Sequence, residues 1–160
     1  MKNNRVYKIL LIIFLSLCYA TTTFADTNET KNVQLIKSFF QAIFENENFK
    51  PEIVKDYLSQ DYIQIVDNNP PMNYQDFINH IITQKKIIPK ANITFTEFVA
   101  QGDKVAEIHL VKANKKNNSL VEAKIIAVWT IKNGKITKCE EMSKILTGTK
   151  EDEKLGHIKE

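Results

Sequence analysis

Hydrophobic positions repeat with two different periods along the chain. Before residue 90, apolar side chains recur every three or four positions, which is typical of helices that bury one face. From Ala91 onward, apolar and polar side chains alternate, which is typical of strands with one buried face. The sequence therefore predicts an α+β arrangement in which helices come first and an antiparallel meander follows.

The helical part contains three predicted segments. The first covers residues 31–46, where the apolar positions are Val33, Ile36, Phe39, Phe40, Ile43 and Phe44. Pro51 suits the first turn of a short second helix, and residues 62–66 then predict a brief strand. A third helix is predicted from Tyr74 and ends before Pro89, because the residue that precedes a proline disfavours helical geometry.

The second part predicts four strands, near residues 92–100, 104–114, 120–132 and 135–146. The Asn-Gly pair at residues 133–134 indicates a type I′ hairpin turn, because both central residues of that turn need a positive φ. If Lys132 lies opposite Lys135, the register places Glu141 opposite Ile126. On the other face, apolar residues at Ile125, Trp129 and Met142 predict a surface that a second copy covers, and thus a homodimer.

The first 25 residues have the pattern of a cleavable signal peptide. Three basic residues precede an apolar run at residues 9–19, and small residues then lead to a cleavage site before Asp26. The run is shorter than the roughly 18 residues that a membrane-spanning helix needs, so we predict no stable membrane anchor. We therefore expect an exported protein, periplasmic or secreted, whose mature part is one domain over residues 26–160.

Removal of this segment changes the charge balance. The signal peptide carries three of the 22 Lys and Arg residues and none of the 19 Asp and Glu residues, which leaves the mature domain formally neutral. A neutral domain without a basic cluster predicts no nucleic-acid partner. Because the chain has neither a glycine-rich phosphate loop nor Cys/His metal spacing, we also expect no cofactor and no metal.

Four short segments resemble SnoaL-like members of the nuclear transport factor 2-like superfamily. They are Asp61-Tyr62-Ile63-Gln64-Ile65, Gly102-Asp103-Lys104-Val105-Ala106, Asn133-Gly134-Lys135-Ile136, and the tail positions Gly148, Asp152, Leu155 and Gly156. The resemblance implies a cone-shaped fold in which N-terminal helices pack on a curved antiparallel sheet. Ile65 stands where many relatives carry a pocket histidine. Such folds host isomerases, dehydratases, epoxide hydrolases, cyclases and binding proteins, so the fold alone does not choose a function.

A candidate site follows from the alternation in the second predicted strand, where Glu107 and His109 share one face. If an even-numbered loop joins this strand to the next, both side chains share a face with Ile126 and Glu141, whereas an odd-numbered loop separates them. His109 and Glu141 would then form a general acid/base pair. The alternatives are a structural or surface histidine at His109 and a solvent-facing or merely structural Glu107.

The expected walls of the cavity are five apolar side chains: Phe39, Phe40, Ile63, Ile65 and Ile126. Three functions fit this arrangement. The first is a protein that binds a small, largely apolar molecule in the cone cavity. The second is a lyase or isomerase that uses His109 and Glu141 for proton transfer, and the third is a structural dimerisation module without a ligand.

Overall fold

Two α-helices and six strands make up the part of the chain that the computed structural model describes, residues 28–158. In chain order, the elements are helix α1 (28–43), a 3-10 helix (Pro51–Asp56), strands β1 (Leu58–Val66) and β2 (Met72–Asn73), helix α2 (Tyr74–Ile87), strands β3 (Ala91–Gln101), β4 (Lys104–Asn114), β5 (Leu120–Lys132) and β6 (Lys135–Thr147), and a C-terminal 3-10 helix (Lys150–Gly156). The signal peptide and the cleavage site before Asp26 lie outside the described residues.

The six strands form one curved, open sheet with the order β2-β1-β6-β5-β4-β3. The helices pack on one face of this sheet, which confirms the α+β cone predicted from the sequence. The sheet is mixed, however, because β1 runs parallel to β6 while every other neighbouring pair is antiparallel. No hairpin joins β1 to β6, so nothing local forces them to run in opposite directions.

Both helices present an aromatic and aliphatic face to the sheet. Helix α1 buries Ile36, Phe39, Phe40 and Ile43, each at most 5% exposed. Helix α2 begins with a capping box in which the Asn73 side chain accepts a hydrogen bond from the Asp76 amide at 2.9 Å. No helix among the residues described is both long and apolar enough to cross a membrane.

Phe39 lies at the centre of the core. Its ring is 5.7 to 6.0 Å from five other aromatic rings, measured between centroids: Phe40, Phe44, Tyr57, Phe77 and Trp129. Most of these contacts are edge-to-face, the geometry that aromatic quadrupoles favour. Trp129 is only 2% exposed, so its expected place on an outer, dimer-forming face is wrong.

The predicted register of the β5–β6 hairpin holds only near its turn. The turn at residues 133–134 has positive φ at both positions, and the first two pairs follow the expectation. A bulge beside Thr130 then shifts the pairing by one residue, so Glu141 lies opposite Ala127 and not opposite Ile126. Because neighbouring strand residues point to opposite faces, this shift exchanges the two faces of β6 beyond the bulge.

The β4–β5 connection has an odd number of residues, 115–119. This is the case that was expected to separate Glu107 and His109 from the face of Ile126. Glu107 lies opposite Ala127, and His109 lies opposite Ile125, on the face that packs against the helices. Ile126 is therefore separated from both. Glu141 nevertheless reaches the same face as His109, because the β6 bulge moves it there.

Candidate functional site

A cavity of about 120 Å³ lies between the two helices and the sheet. Its wall is mainly apolar and includes Phe39 and Phe40, two of the five expected wall residues. Several polar side chains also line it: Gln64, His80, Gln84, His109, Glu141 and Ser143. The cavity therefore brings the two expected acid/base residues into one apolar space.

The other three expected wall residues lie elsewhere. Ile63 and Ile65 do not line the cavity, because the alternate β1 positions, Tyr62 and Gln64, are the ones that point inward. Ile126 is 52% exposed on the opposite face of the sheet, as the β4–β5 register requires. In the segment 61–65, which resembles SnoaL-like proteins, Gln64 therefore points into the cavity and Ile65 points away from it.

Glu107 and His109 form a buried pair on β4. The His109 Nδ1 atom lies 3.0 and 2.9 Å from the two carboxylate oxygens of Glu107, and the side chains are 3% and 0% exposed. The Trp129 Nε1 atom donates a further hydrogen bond to Glu107 at 3.2 Å. Of the two alternatives for Glu107, the solvent-facing one is therefore wrong, since the side chain lies in the protein interior with two hydrogen-bond donors.

This arrangement fixes the orientation and tautomer of His109. A carboxylate accepts hydrogen bonds, so Nδ1 carries a proton and Nε2 is the nitrogen available to a molecule in the cavity. The imidazole ring is held edge-to-face against Phe40, with centroids 4.8 Å apart. A buried carboxylate that accepts from Nδ1 and so orients the imidazole is an arrangement that suits a general base.

Glu141 supplies a second titratable group in the cavity. Burial raises the pKa of its carboxyl to about 7, against the opposing effects of the His109 charge and of hydrogen bonds from the Cys139 thiol and the Gln64 amide. The Cys139 Sγ atom lies 3.6 Å from the carboxylate, and the Tyr62 hydroxyl donates to Gln64 at 3.2 Å. A carboxyl group with this pKa can give up or take a proton near neutral pH.

His80 enters the cavity from helix α2 and was assigned no role from the sequence. Its Nδ1 atom lies 3.1 Å from the Ile158 carbonyl oxygen, so this nitrogen carries the proton. Burial lowers the pKa of His80, and the nearby His157 adds to this effect, so the imidazole is neutral at pH 7. Its place three residues after Phe77, on the apolar face of the helix, is the sequence signal that could have found it.

The C-terminal 3-10 helix closes one side of the cavity with Asp152, Leu155 and Gly156. It is tied down by an ion pair between Lys115 and Asp152 at 2.8 Å and by a hydrogen bond from Gln84 to the Leu155 carbonyl at 3.0 Å. No group of three or more His, Cys, Asp or Glu side chains within residues 28–158 is placed to hold a metal ion.

Comparison with known proteins gives the fold and no single activity. No protein-family model matches the chain. The Schizosaccharomyces pombe (strain 972 / ATCC 24843) protein named Uncharacterized protein C11D3.04c is 28% identical over 123 residues, which cover 77% of this chain and 93% of that protein.

Solved structures are similar at lower identity. A Jannaschia sp. CCS1 protein assigned as a SnoaL-like polyketide cyclase has a TM-score of 0.62 at 12% identity, covering 72% of this chain and 86% of its own. An epoxide hydrolase of M. tuberculosis has a TM-score of 0.62 at 13% identity, with coverages of 73% and 85%. A nuclear transport factor 2-like protein of Burkholderia xenovorans LB400 has a TM-score of 0.57 at 19% identity, with coverages of 72% and 91%. The expected nuclear transport factor 2-like, SnoaL-like fold is confirmed.

Proposed function

We propose that this nuclear transport factor 2-like domain binds a small, largely apolar molecule in its cavity and catalyses proton transfer on it, as a lyase or isomerase does. The buried Glu107–His109 pair is the observation that carries the proposal. Burying a carboxylate and an imidazole costs free energy of desolvation that a purely structural cavity wall avoids with apolar side chains. A pair retained beside a cavity is therefore best explained by chemistry in that cavity.

The two titratable groups have different roles in this proposal. His109 accepts a proton at Nε2, and Glu107 stabilises the imidazolium that forms. Glu141, with a pKa of about 7, is partly protonated at neutral pH and donates a proton elsewhere on the bound molecule. A base and an acid at one apolar cavity suffice for an elimination or an isomerisation.

The proposal can be tested with 5-methylisoxazole, a neutral single-ring molecule with an acidic C–H bond next to its ring nitrogen. When a base removes this proton, the electron pair forms a nitrile, the N–O bond breaks, and an enolate that absorbs in the ultraviolet is released. We expect the protein to accelerate this elimination with saturation, and His109→Gln to lower the rate roughly 100-fold, a magnitude typical of a lost general base.

His157→Gln is the matched control, because the His157 side chain is not part of the cavity lining and its ring pairs with the Asn69 amide at 3.2 Å, an interaction outside the cavity. Its elimination rate should equal that of the wild type. Equal rates for His109→Gln and wild type would contradict the catalytic role of His109. If the molecule then still bound in the cavity, the protein would be a binding protein and not an enzyme.

Export is a second part of the proposal and rests on the signal-like pattern of residues 1–25. We expect the mature protein to begin at Asp26 in the periplasm or the medium. N-terminal sequencing of protein recovered outside the cytoplasm checks this, and an intact Met1 would disprove cleavage.

The third part is a homodimer formed through the outer face of the sheet. The residues first expected there were partly wrong, since Ile125 and Trp129 are buried in the core. The exposed apolar side chains of this face include Ile126, Val128, Met142 and Leu146, between 44% and 71% exposed. Apolar surface of this kind on one sheet face favours association with a second copy of the same face.

We expect sedimentation of the mature domain at tens of micromolar, roughly the ordinary range for such interfaces, to show a dimer. Met142→Glu places a charge in the apolar face and should yield monomers. The control Gln41→Glu adds the same charge on the exposed side of α1 and should leave the dimer intact. A wild-type monomer throughout this concentration range would rule the interface out.

A further inference from the structure

The hydrogens of four polar side chains around the cavity are already donated to other protein groups. The Ser143 hydroxyl donates to Asp67 at 2.9 Å, and Trp129 donates to Glu107 at 3.2 Å. His109 donates its Nδ1 hydrogen to Glu107, as established above. The fourth side chain is His80 on α2, which donates its Nδ1 hydrogen to the Ile158 carbonyl.

The groups that remain for a ligand are mainly hydrogen-bond acceptors. Within the described chain no protein partner is found for the Nε2 atom of His80 or of His109, and both side chains line the cavity. Glu141 adds a carboxyl group, which accepts hydrogen bonds when it is ionised and donates one when it is protonated. When an apolar molecule fills the cavity and displaces water from these acceptors, they are satisfied only if that molecule brings donors, since an unpaired buried polar group costs about 1 to 3 kcal/mol.

The charges around the cavity exclude an anionic ligand. The lining includes the Glu141 carboxyl but no Lys or Arg among the residues described. Glu107 lies directly behind His109 and adds a second carboxylate. A phosphate or carboxylate group would meet these carboxyl groups without a Lys or Arg side chain to neutralise it.

The size and lining of the cavity indicate a single ring. The volume of about 120 Å³ is close to that of engineered apolar cavities of roughly 150 Å³, which hold benzene. The wall carries the aromatic rings of Phe39, Phe40, Phe77 and Trp129. Aromatic rings pack well edge-to-face against another ring.

We propose that the ligand of this cavity is an uncharged, single-ring molecule with a hydroxyl group, of the phenol or enol class, whose O–H donates to the Nε2 atom of His109. This inference rests on the proposed function and names its substrate class. His109 is the proposed base, so its Nε2 atom is placed to take the hydroxyl proton of this ligand. Glu107 then stabilises the positive charge that the His109 imidazole gains.

Trp129 provides a direct test, because it is the only tryptophan of the chain and lines the cavity. Its indole N–H gives one cross-peak in a proton–nitrogen correlation spectrum, and this cross-peak can be followed while ligands are added. The probes are phenol, anisole, toluene and benzoate. Anisole has the shape of phenol with a methyl group in place of the donated hydrogen, and benzoate adds a negative charge.

We expect phenol to bind at least about tenfold more tightly than anisole or toluene, the ratio that a difference of 1.4 kcal/mol gives. Benzoate should leave the cross-peak in place. Equal affinities for phenol and anisole would overturn the inference, because the cavity would not recognise a donor. Tighter binding of benzoate would overturn the charge argument, and no shift with any probe would overturn the single-ring ligand.

Two variants of strand β5 locate the binding. Val121→Phe fills the cavity and should abolish the phenol shift, whereas Val128→Phe adds the same ring on the outer face and should keep it. If Val121→Phe fails to fold, the ligand series on the wild type still decides. The elimination of 5-methylisoxazole is measured separately, so selective phenol binding without elimination would leave this inference standing and overturn only the catalytic proposal.

Discussion

His109→Leu is expected to lower the free energy of unfolding by about 3 to 5 kcal/mol, the cost of leaving a buried carboxylate without its partner. In this variant the Glu107 carboxylate keeps only the bond from Trp129 in a site with no solvent contact. Urea unfolding at pH 7 measures the effect. Because the cost arises from the uncompensated carboxylate, it should depend on what stands at position 107.

The double variant Glu107→Gln/His109→Leu tests that origin. Glutamine keeps an oxygen for the Trp129 N–H but has no charge, so the double variant should recover at least about half of the loss. His157→Leu, at a partly exposed histidine, should change stability by no more than about 0.5 kcal/mol. If the single and double variants were equally unstable, His109 would matter through packing and not through its carboxylate partner.

The elements of the fold were largely readable from the sequence. The bounds of the predicted strands agree with β3 to β6 within one residue, and the third predicted helix ends before Pro89 as expected. These features depend on local chemistry: hydrophobic period, turn residues and proline. The direction of β1 beside β6 depends on contacts between distant segments, which no local pattern encodes.

The candidate site was harder to predict, because faces of a sheet depend on register. The prediction joined His109 and Glu141 through an uninterrupted β5–β6 register, whereas the structure joins them through a bulge beside Thr130. The sequence therefore predicted that His109 and Glu141 share a face, but it did so from a strand register that is wrong beyond Thr130. A bulge has no reliable sequence signal, and each one inverts every side chain beyond it.

Glu107 shows a second limit of sequence reasoning. A glutamate at an alternating strand position usually faces water, and only the partners in space reveal otherwise. Those partners are Trp129 from β5 and His109 from its own strand. The alternation correctly placed Glu107 and His109 on one face, but it could not tell which face the helices cover.

Glu141→Gln is expected to make the stability of the protein less sensitive to pH. The ordinary pKa of 4.5 applies to Glu141 in the unfolded chain, and burial raises the folded value to about 7. Below pH 4.5 the carboxyl is protonated in both states, and its contribution to stability is fully present. As the pH rises through about 7, the folded state must also release the proton, and that contribution is lost.

The size of the effect follows from the shift. At about 1.4 kcal/mol per pKa unit, the wild type should lose about 3 kcal/mol between pH 4 and pH 8 through this group. Glutamine is neutral and similar in shape to the protonated acid, so Glu141→Gln should match the wild type at pH 4 and exceed its stability by about 3 kcal/mol at pH 8. Urea unfolding at several pH values gives both curves.

Glu140→Gln is the matched control for this prediction. Glu140 is the neighbouring residue on β6, 55% exposed, and pairs with Lys138 at 2.8 Å on the surface. Exposed pairs contribute little, so this variant should differ from the wild type by less than about 1 kcal/mol, with no added dependence on pH. Parallel curves for the wild type and Glu141→Gln would show that the carboxyl is ionised in the folded protein well below pH 7. Glu141 could not then donate a proton in the cavity at neutral pH, and His109 would be left as the one acid/base group of the proposal.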